Sequence, residues 1–205
     1  MVYRTSREKI LKMVQLSLLA ALEVLLTLLY IPAGAINLNF GLVPIVVAGV
    51  FLGPAAGAVI GGVSGLVTMV QVITGQSVFY TFLMAVNPIS ACLLCLVKTS
   101  LAGALVGFVY RIMSKICHSI TVNSLVAAIV CPVVNTGIFA LGMLLVFGNA
   151  LVVDPVISTW AAGGAVAIVF VALIGVNFFV ELIVTAIVSP ALCKTLSAAK
   201  IFSHK

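Results

Sequence analysis

Three ionisable side chains, Glu23, Lys98 and Glu181, lie inside long apolar stretches of this chain. A charge in such a setting has to be paired, hydrated or put to use, so each is a candidate for function. Lys98 stands thirteen residues before Arg111, and Glu181 stands thirteen before Lys194. On helices rising 1.5 Å per residue, both lie about 20 Å above a basic inner edge, in the outer third of a hydrocarbon core about 30 Å thick. A base and an acid at one depth admit two readings. They form a buried structural ion pair that neutralises both, or they face an outward-opening pocket and meet a polar or zwitterionic solute.

Neutral polar residues near the same level support the pocket. Gln71, Asn87 and the pair Asn135-Thr136 come from three separate segments, and Asn177 lies one helical turn from Glu181. These seven polar positions, Gln71, Asn87, Lys98, Asn135, Thr136, Asn177 and Glu181, are the candidate solute contacts. Phe79, Tyr80, Phe82 and Trp160 either close the pocket or anchor the membrane interface, the latter being the ordinary place for a tryptophan.

Other chemistries lack their residues. There is no Gly-x-x-x-x-Gly-Lys-Ser/Thr loop to cradle a nucleotide and no His-Glu-x-x-His pair to hold zinc. His118 and His204 fall outside the apolar segments. Cys92 and Cys95 form a Cys-x-x-Cys spacing, but in an apolar helix without companion ligands they read as packing. With Cys117, Cys131 and Cys193 the cysteines are odd in number, which speaks against a disulfide framework. The expectation is therefore no enzyme, no metal and no cofactor.

The elements that position these residues follow from composition. With 205 residues, 64% hydrophobic and 7% charged, and a mean hydropathy of +1.40, the chain reads as an all-α integral membrane protein of one domain, residues 1–205. Six crossings are expected, over 9–30, 38–53, 55–73, 89–113, 124–147 and 175–194, with a possible outer or re-entrant piece at 158–173. The first is read as a retained helix and not a signal peptide. Nine of the ten Lys and Arg fall in three clusters, Arg4 to Lys12, Arg111 with Lys115, and Lys194 to Lys205. By the positive-inside rule these mark the cytoplasmic side, which places both termini there. The net charge of +6 is thus a topological signal and carries no expectation of nucleic acid.

Between Asn37 and Thr74 no residue is charged, and Gly53-Pro54 interrupts the middle, which predicts two short helices back to back. The second is rich in small residues, from Ala55 to Gly65, and so lets neighbouring backbones come close. The segment GQSVFYTFLMAVNP that follows suits an outer loop or partial helix over the bundle, where a lid would sit. On the first helix Ser17 and Ala21 form a small pair whose face points about 200° away from Glu23. If Glu23 turns inward, that face is left on the outside of the bundle, available to another membrane protein; the plainer alternative is ordinary helix packing.

Several segments, in order, resemble the substrate-binding S component of energy-coupling factor (ECF) vitamin transporters. They are NFGLVPIVVAGVFLGPAAGAVIGG, then Asn87-Pro88 followed by Lys98 and LAGALVGFVYR, then VVNTGIFALG, then NFFVELIVTAIVSPALCK. The resemblance spans essentially the whole chain. It implies a six-helix protein of the prokaryotic plasma membrane that captures a micronutrient from outside. It further implies a membrane coupling subunit and two cytoplasmic ATPases as partners, with Ser17 and Ala21 as the coupling contact. Ser17 departs from the family's usual alanine pair, and Val97-Lys98 stands where the family often has Pro-Arg. Similar S components bind riboflavin, folates, pantothenate, cobalamin or its precursors, and Lys98 leans toward a carboxylate such as pantothenate. The alternative is a self-sufficient proton-coupled secondary transporter using Glu23 or Glu181.

Overall fold

The computed structural model describes residues 2–29, 31–33, 36–38, 40–160 and 163–199. Tyr30 at the expected end of the first helix, residues 161–162 of the expected outer piece, and Lys200, His204 and Lys205 lie outside them. The chain is an all-α membrane bundle with one short hairpin. Helix α1 spans Val2–Leu28, and strands β1 (Ile31–Ala33) and β2 (Ile36–Leu38) pair antiparallel with Ile31 opposite Leu38. Then come α2 (Leu42–Leu52), α3 (Pro54–Ile73), α4 (Val78–Val86) and α5 (Pro88–Ile116). Helix α6 (Ile120–Gly142) runs through a π-helical turn, Met143–Phe147, into α7 (Gly148–Val153). A 3-10 turn (Ile157–Trp160), α8 (Gly164–Ala167) and a second π-helical stretch (Ile168–Ile174) lead into α9 (Gly175–Ala198).

Five helical stretches among the described residues are long and apolar enough to cross a membrane: Arg7–Leu28, Pro54–Ile73, Pro88–Ile116, Ile120–Val153 and Asn177–Ala198. Leu42–Leu52 is a shorter apolar helix buried along most of its length. Between α2 and α3 the chain reverses at Gly53, with φ +93°, and Pro54 opens the next helix where a missing N–H costs nothing. The Arg111 guanidinium lies beside this turn, so an uncharged corner acquires a cation from α5.

The tightest packing joins α3 to α5. Gly57, Gly61 and Gly65 recur every four residues on one face of α3, and Thr99, Gly103 and Gly107 do so on α5. A Cβ added at Gly57 would strike the Gly103 carbonyl, and one at Gly61 the Thr99 carbonyl. At Gly65 it would lie 2.7 Å from the Cys95 carbonyl oxygen, and at Gly107 2.6 Å from the Pro54 nitrogen. In lipid there is no hydrophobic gain from helix association, so this close backbone contact supplies the dispersion energy instead.

Among the described residues two apolar clusters form the core. One gathers Leu19, Ile45, Ile60, Ala102, Val106, Ala127, Cys131 and Cys193. The other gathers Val72, Phe79, Leu83, Ala91, Cys95, Met143, Phe147 and Ile168. On α3, α5, α6 and α9 polar residues fall between the members of the two: Ser64 and Thr68, Lys98 and Thr99, Asn135 and Thr136, Asn177 and Glu181. The bundle is thus two apolar halves with a polar layer between them.

If the α3–α5 contact holds the bundle, Gly61→Ala lowers stability by about 1–3 kcal/mol through overpacking. Gly62→Ala, where the added carbon meets only the Ser100 hydroxyl at 3.4 Å, leaves it unchanged or higher. Thermal unfolding of both variants in detergent measures the difference.

Candidate solute-binding site

The polar layer opens into a cavity of about 60 Å³. Its walls come from α3 (Ser64, Thr68, Val72), α5 (Ala91, Leu94, Cys95, Lys98, Thr99), α6 (Asn135, Thr136, Phe139), Ile174 and α9 (Asn177, Glu181), with Leu42 of α2. Helix α4 supplies Phe79, Tyr80 and Leu83. This helix begins at Ser77, whose hydroxyl accepts from the Tyr80 N–H at 3.2 Å, and it ends at Asn87. The segment expected as a lid is therefore a capped helix whose aromatic side chains line the cavity. Phe79 is buried and meets Phe139 edge-on, ring centres 6.2 Å apart.

Lys98 reaches from α5 toward α6 and places its Nζ 5.0 Å from the centre of the Phe139 ring, a cation–π distance. No ion pair between Lys98 and Glu181 is found among the described residues, although the two charges are near enough to act on each other. Among the described residues the Glu181 Oε2 has no hydrogen-bond partner, and neither have the Oδ1 atoms of Asn135 and Asn177. Glu181 and Asn135 are each only 7% exposed. Three buried acceptors without donors, all lining one cavity beside a cation, form a site that a donor-bearing solute or water would complete.

Five of the seven expected contacts, Lys98, Asn135, Thr136, Asn177 and Glu181, come together in this cavity. Gln71 and Asn87 do not line it. The Gln71 amide donates to the Thr27 carbonyl on α1 at 3.1 Å, which ties α1 to α3. Asn87 caps α5, its Oδ1 accepting from the Ser90 N–H at 3.1 Å. Ser64, Thr68, Thr99 and Cys95 line the cavity without having been singled out as contacts. They had a signal in the sequence, since Ser64–Thr68 and Cys95–Thr99 are i, i+4 pairs on the same faces as the packing glycines. The Thr68 and Thr99 hydroxyls donate to the carbonyls of Ser64 and Cys95, each at 3.0 Å.

Glu23 turns inward and is 0% exposed, while Ser17 and Ala21 lie on the exposed face of α1. Its Oε1 accepts from the Thr27 hydroxyl at 2.8 Å, and Ser64, itself a cavity residue, bonds to the same carboxyl. Glu23 thus sits behind the cavity wall and joins α1 to it. Among the described residues no three His, Cys, Asp or Glu side chains cluster as metal ligands, and the five cysteines are unpaired.

Residues 11–193 match the family described as ECF transporter, substrate-specific component. The chain belongs to that family. No curated protein matches it. This S component is accordingly a multi-pass membrane protein and the substrate-binding subunit of an ECF transporter. As a family, S components are transporter subunits and not enzymes, and they work with a membrane coupling component and ATPases.

An unpartnered buried acceptor costs stability, and an apolar group of the same shape does not. Asn135→Leu therefore leaves the melting midpoint of the purified S component unchanged or raises stability by up to about 1–3 kcal/mol. The same change lowers retention of solute, as measured by what the protein releases on denaturation.

Proposed function

We propose that this S component captures a water-soluble vitamin or related micronutrient from outside a prokaryotic plasma membrane, in the cavity of Lys98, Asn135, Thr136, Asn177 and Glu181. The observation that carries the reading is the convergence of three unpartnered acceptors beside one cation. A solute with a carboxylate for Lys98 and hydroxyl, amide or amine donors for the Asn oxygens and Glu181 would satisfy all of them. Pantothenate or a related acid has this chemistry. Gln71 and Asn87 act one step back, through Thr27 and the start of α5.

The basic clusters support a cytoplasmic side for both termini, the Gly53-Pro54 turn and Arg111. The cavity then lies toward the outside, under α4. Ser17 and Ala21 offer a small, exposed face on α1 where a coupling subunit docks, and two cytoplasmic ATPases drive release. Membership of the family supports this arrangement over a self-sufficient proton-coupled carrier. Glu23 and Glu181 remain wall and contact residues and need no role in proton coupling.

Two substitutions separate capture from coupling. Lys98→Met removes a charge-assisted bond of about 1.5–3 kcal/mol, so solute affinity falls about 10- to 100-fold while the melting midpoint of the solute-free protein holds. Ser17→Trp, on the exposed face, leaves binding to the purified chain intact, abolishes uptake by cells and prevents copurification with the coupling subunit. Uptake by Ser17→Trp at the normal rate, or by cells lacking the ATPases, contradicts the coupling assignment.

A further inference from the structure

A second space adjoins the cavity. It is an apolar groove of about 310 Å³ between α6 and the start of α9, lined among the described residues by Val133, Gly137, Ala140, Phe170, Phe178 and Phe179, with Thr136, Ile174 and Gly175. Thr136 and Ile174 belong to both spaces, one face to each, so they are the wall between them. Among the described residues that line the groove, Thr136 alone has a polar side chain. Val133, Phe170 and Phe179 are exposed, which opens the groove sideways within the helices that cross the membrane.

The polar cavity alone, at about 60 Å³, holds a few waters at roughly 10–15 Å³ each. Pockets for small organic ligands run to about 300–1,000 Å³. The groove supplies the missing volume next door. The separating Ile174 ends a π-helical stretch, and Gly175 after it leaves helical geometry, with φ −22° and ψ −98°. Wide turns of this kind recur at functional sites, and this one sets where Ile174 stands between the two spaces.

Resting on the reading of the polar cavity as the solute site, we infer that the solute is amphipathic, its polar end at Lys98, Asn135, Asn177 and Glu181 and its apolar end passing Thr136 and Ile174 into the groove. Helix α9 is built for both halves. Asn177 and Glu181 face the cavity, and Phe178, one residue on, faces the groove.

Gly137 gives direct access to the groove, because among the described residues a Cβ added there meets nothing within 4 Å. Gly137→Phe fills the groove, and Gly137→Leu fills it with a smaller group should the first fold poorly. The probes are N-acylglycines of rising chain length, from N-acetylglycine to N-octanoylglycine, below their micelle concentrations. Their binding is read from thermal stabilisation of the purified S component. Wild type binds longer members more tightly, by up to about fourfold per buried methylene. The Gly137 variants keep the response to N-acetylglycine and lose the dependence on length, and Lys98→Met loses all responses. Length dependence that survives in both Gly137 variants overturns the inference, since the chains then sit elsewhere. Binding of N-acetylglycine with no length dependence in wild type also overturns it and leaves the polar site standing. Loss of copurified phospholipid from the Gly137 variants with length dependence intact makes the groove a lipid seat instead. Failure of every probe to stabilise wild type overturns the head-group assignment at Lys98 and this inference with it.

Discussion

The contact between α3 and α5 sets the rest of the bundle. Their backbones approach so closely that a single carbon on Gly57, Gly61 or Gly103 has nowhere to go. Such a contact fixes more than distance. It fixes the rotation of each helix about its axis, because only one face of each is bare. On α5 that face includes Thr99 and Gly103, so Lys98, one residue earlier, is turned about 100° around the helix. There it meets Phe139 of α6. On α3 the same face carries Gly65, which leaves Ser64 and Thr68 to line the cavity.

A polar layer across a membrane protein is expensive unless its groups are paired. Part of this layer pairs with itself. Thr27 and Ser64 satisfy one side of Glu23, Gln71 bonds to the α1 backbone, and the threonines return their hydroxyls to their own helices. The rest, at Asn135, Asn177 and Glu181, is left open around a small space. Glu23 Oε2, Asn123 Oδ1 and Ser189 Oγ are also unpartnered among the described residues, but away from the cavity, whereas the open acceptors of Asn135, Asn177 and Glu181 gather around one space beside Lys98. A receptor that holds its solute through polar contacts requires this arrangement, since acceptors already paired within the protein have nothing to offer a ligand.

Much of the fold was legible because membrane constraints are strong and local. Charge-free runs of helical length, the Gly53-Pro54 break and the small residues after it are readable one residue at a time. The opposition of Glu23 to Ser17 and Ala21 follows from helical angle alone, and α1 does turn Glu23 inward. The boundaries were harder. A start at residue 38 was expected for the second crossing, but the chain first makes a hairpin, and α2 begins at Leu42. The helical run expected over 124–147 extends from Ile120 to Val153, through a π-helical turn that no residue type announces. Within the site, depth was readable and direction was not. Gln71 and Asn87 have suitable depth, yet Gln71 reaches to α1 and Asn87 to the first turn of its own helix. Which way a polar side chain turns depends on its neighbours, and those are set by the α3–α5 contact, which spans the sequence between residues 57 and 107.

The central claim is that the unpartnered acceptors beside Lys98 exist to hold a solute. Native mass spectrometry of this S component, purified alone in mild detergent from cells grown in rich medium, tests it most directly. The account predicts one polar small molecule bound per chain, released on denaturation and absent from the Lys98→Met protein. Wild-type chain that carries no such molecule and gains none from a medium extract would contradict it.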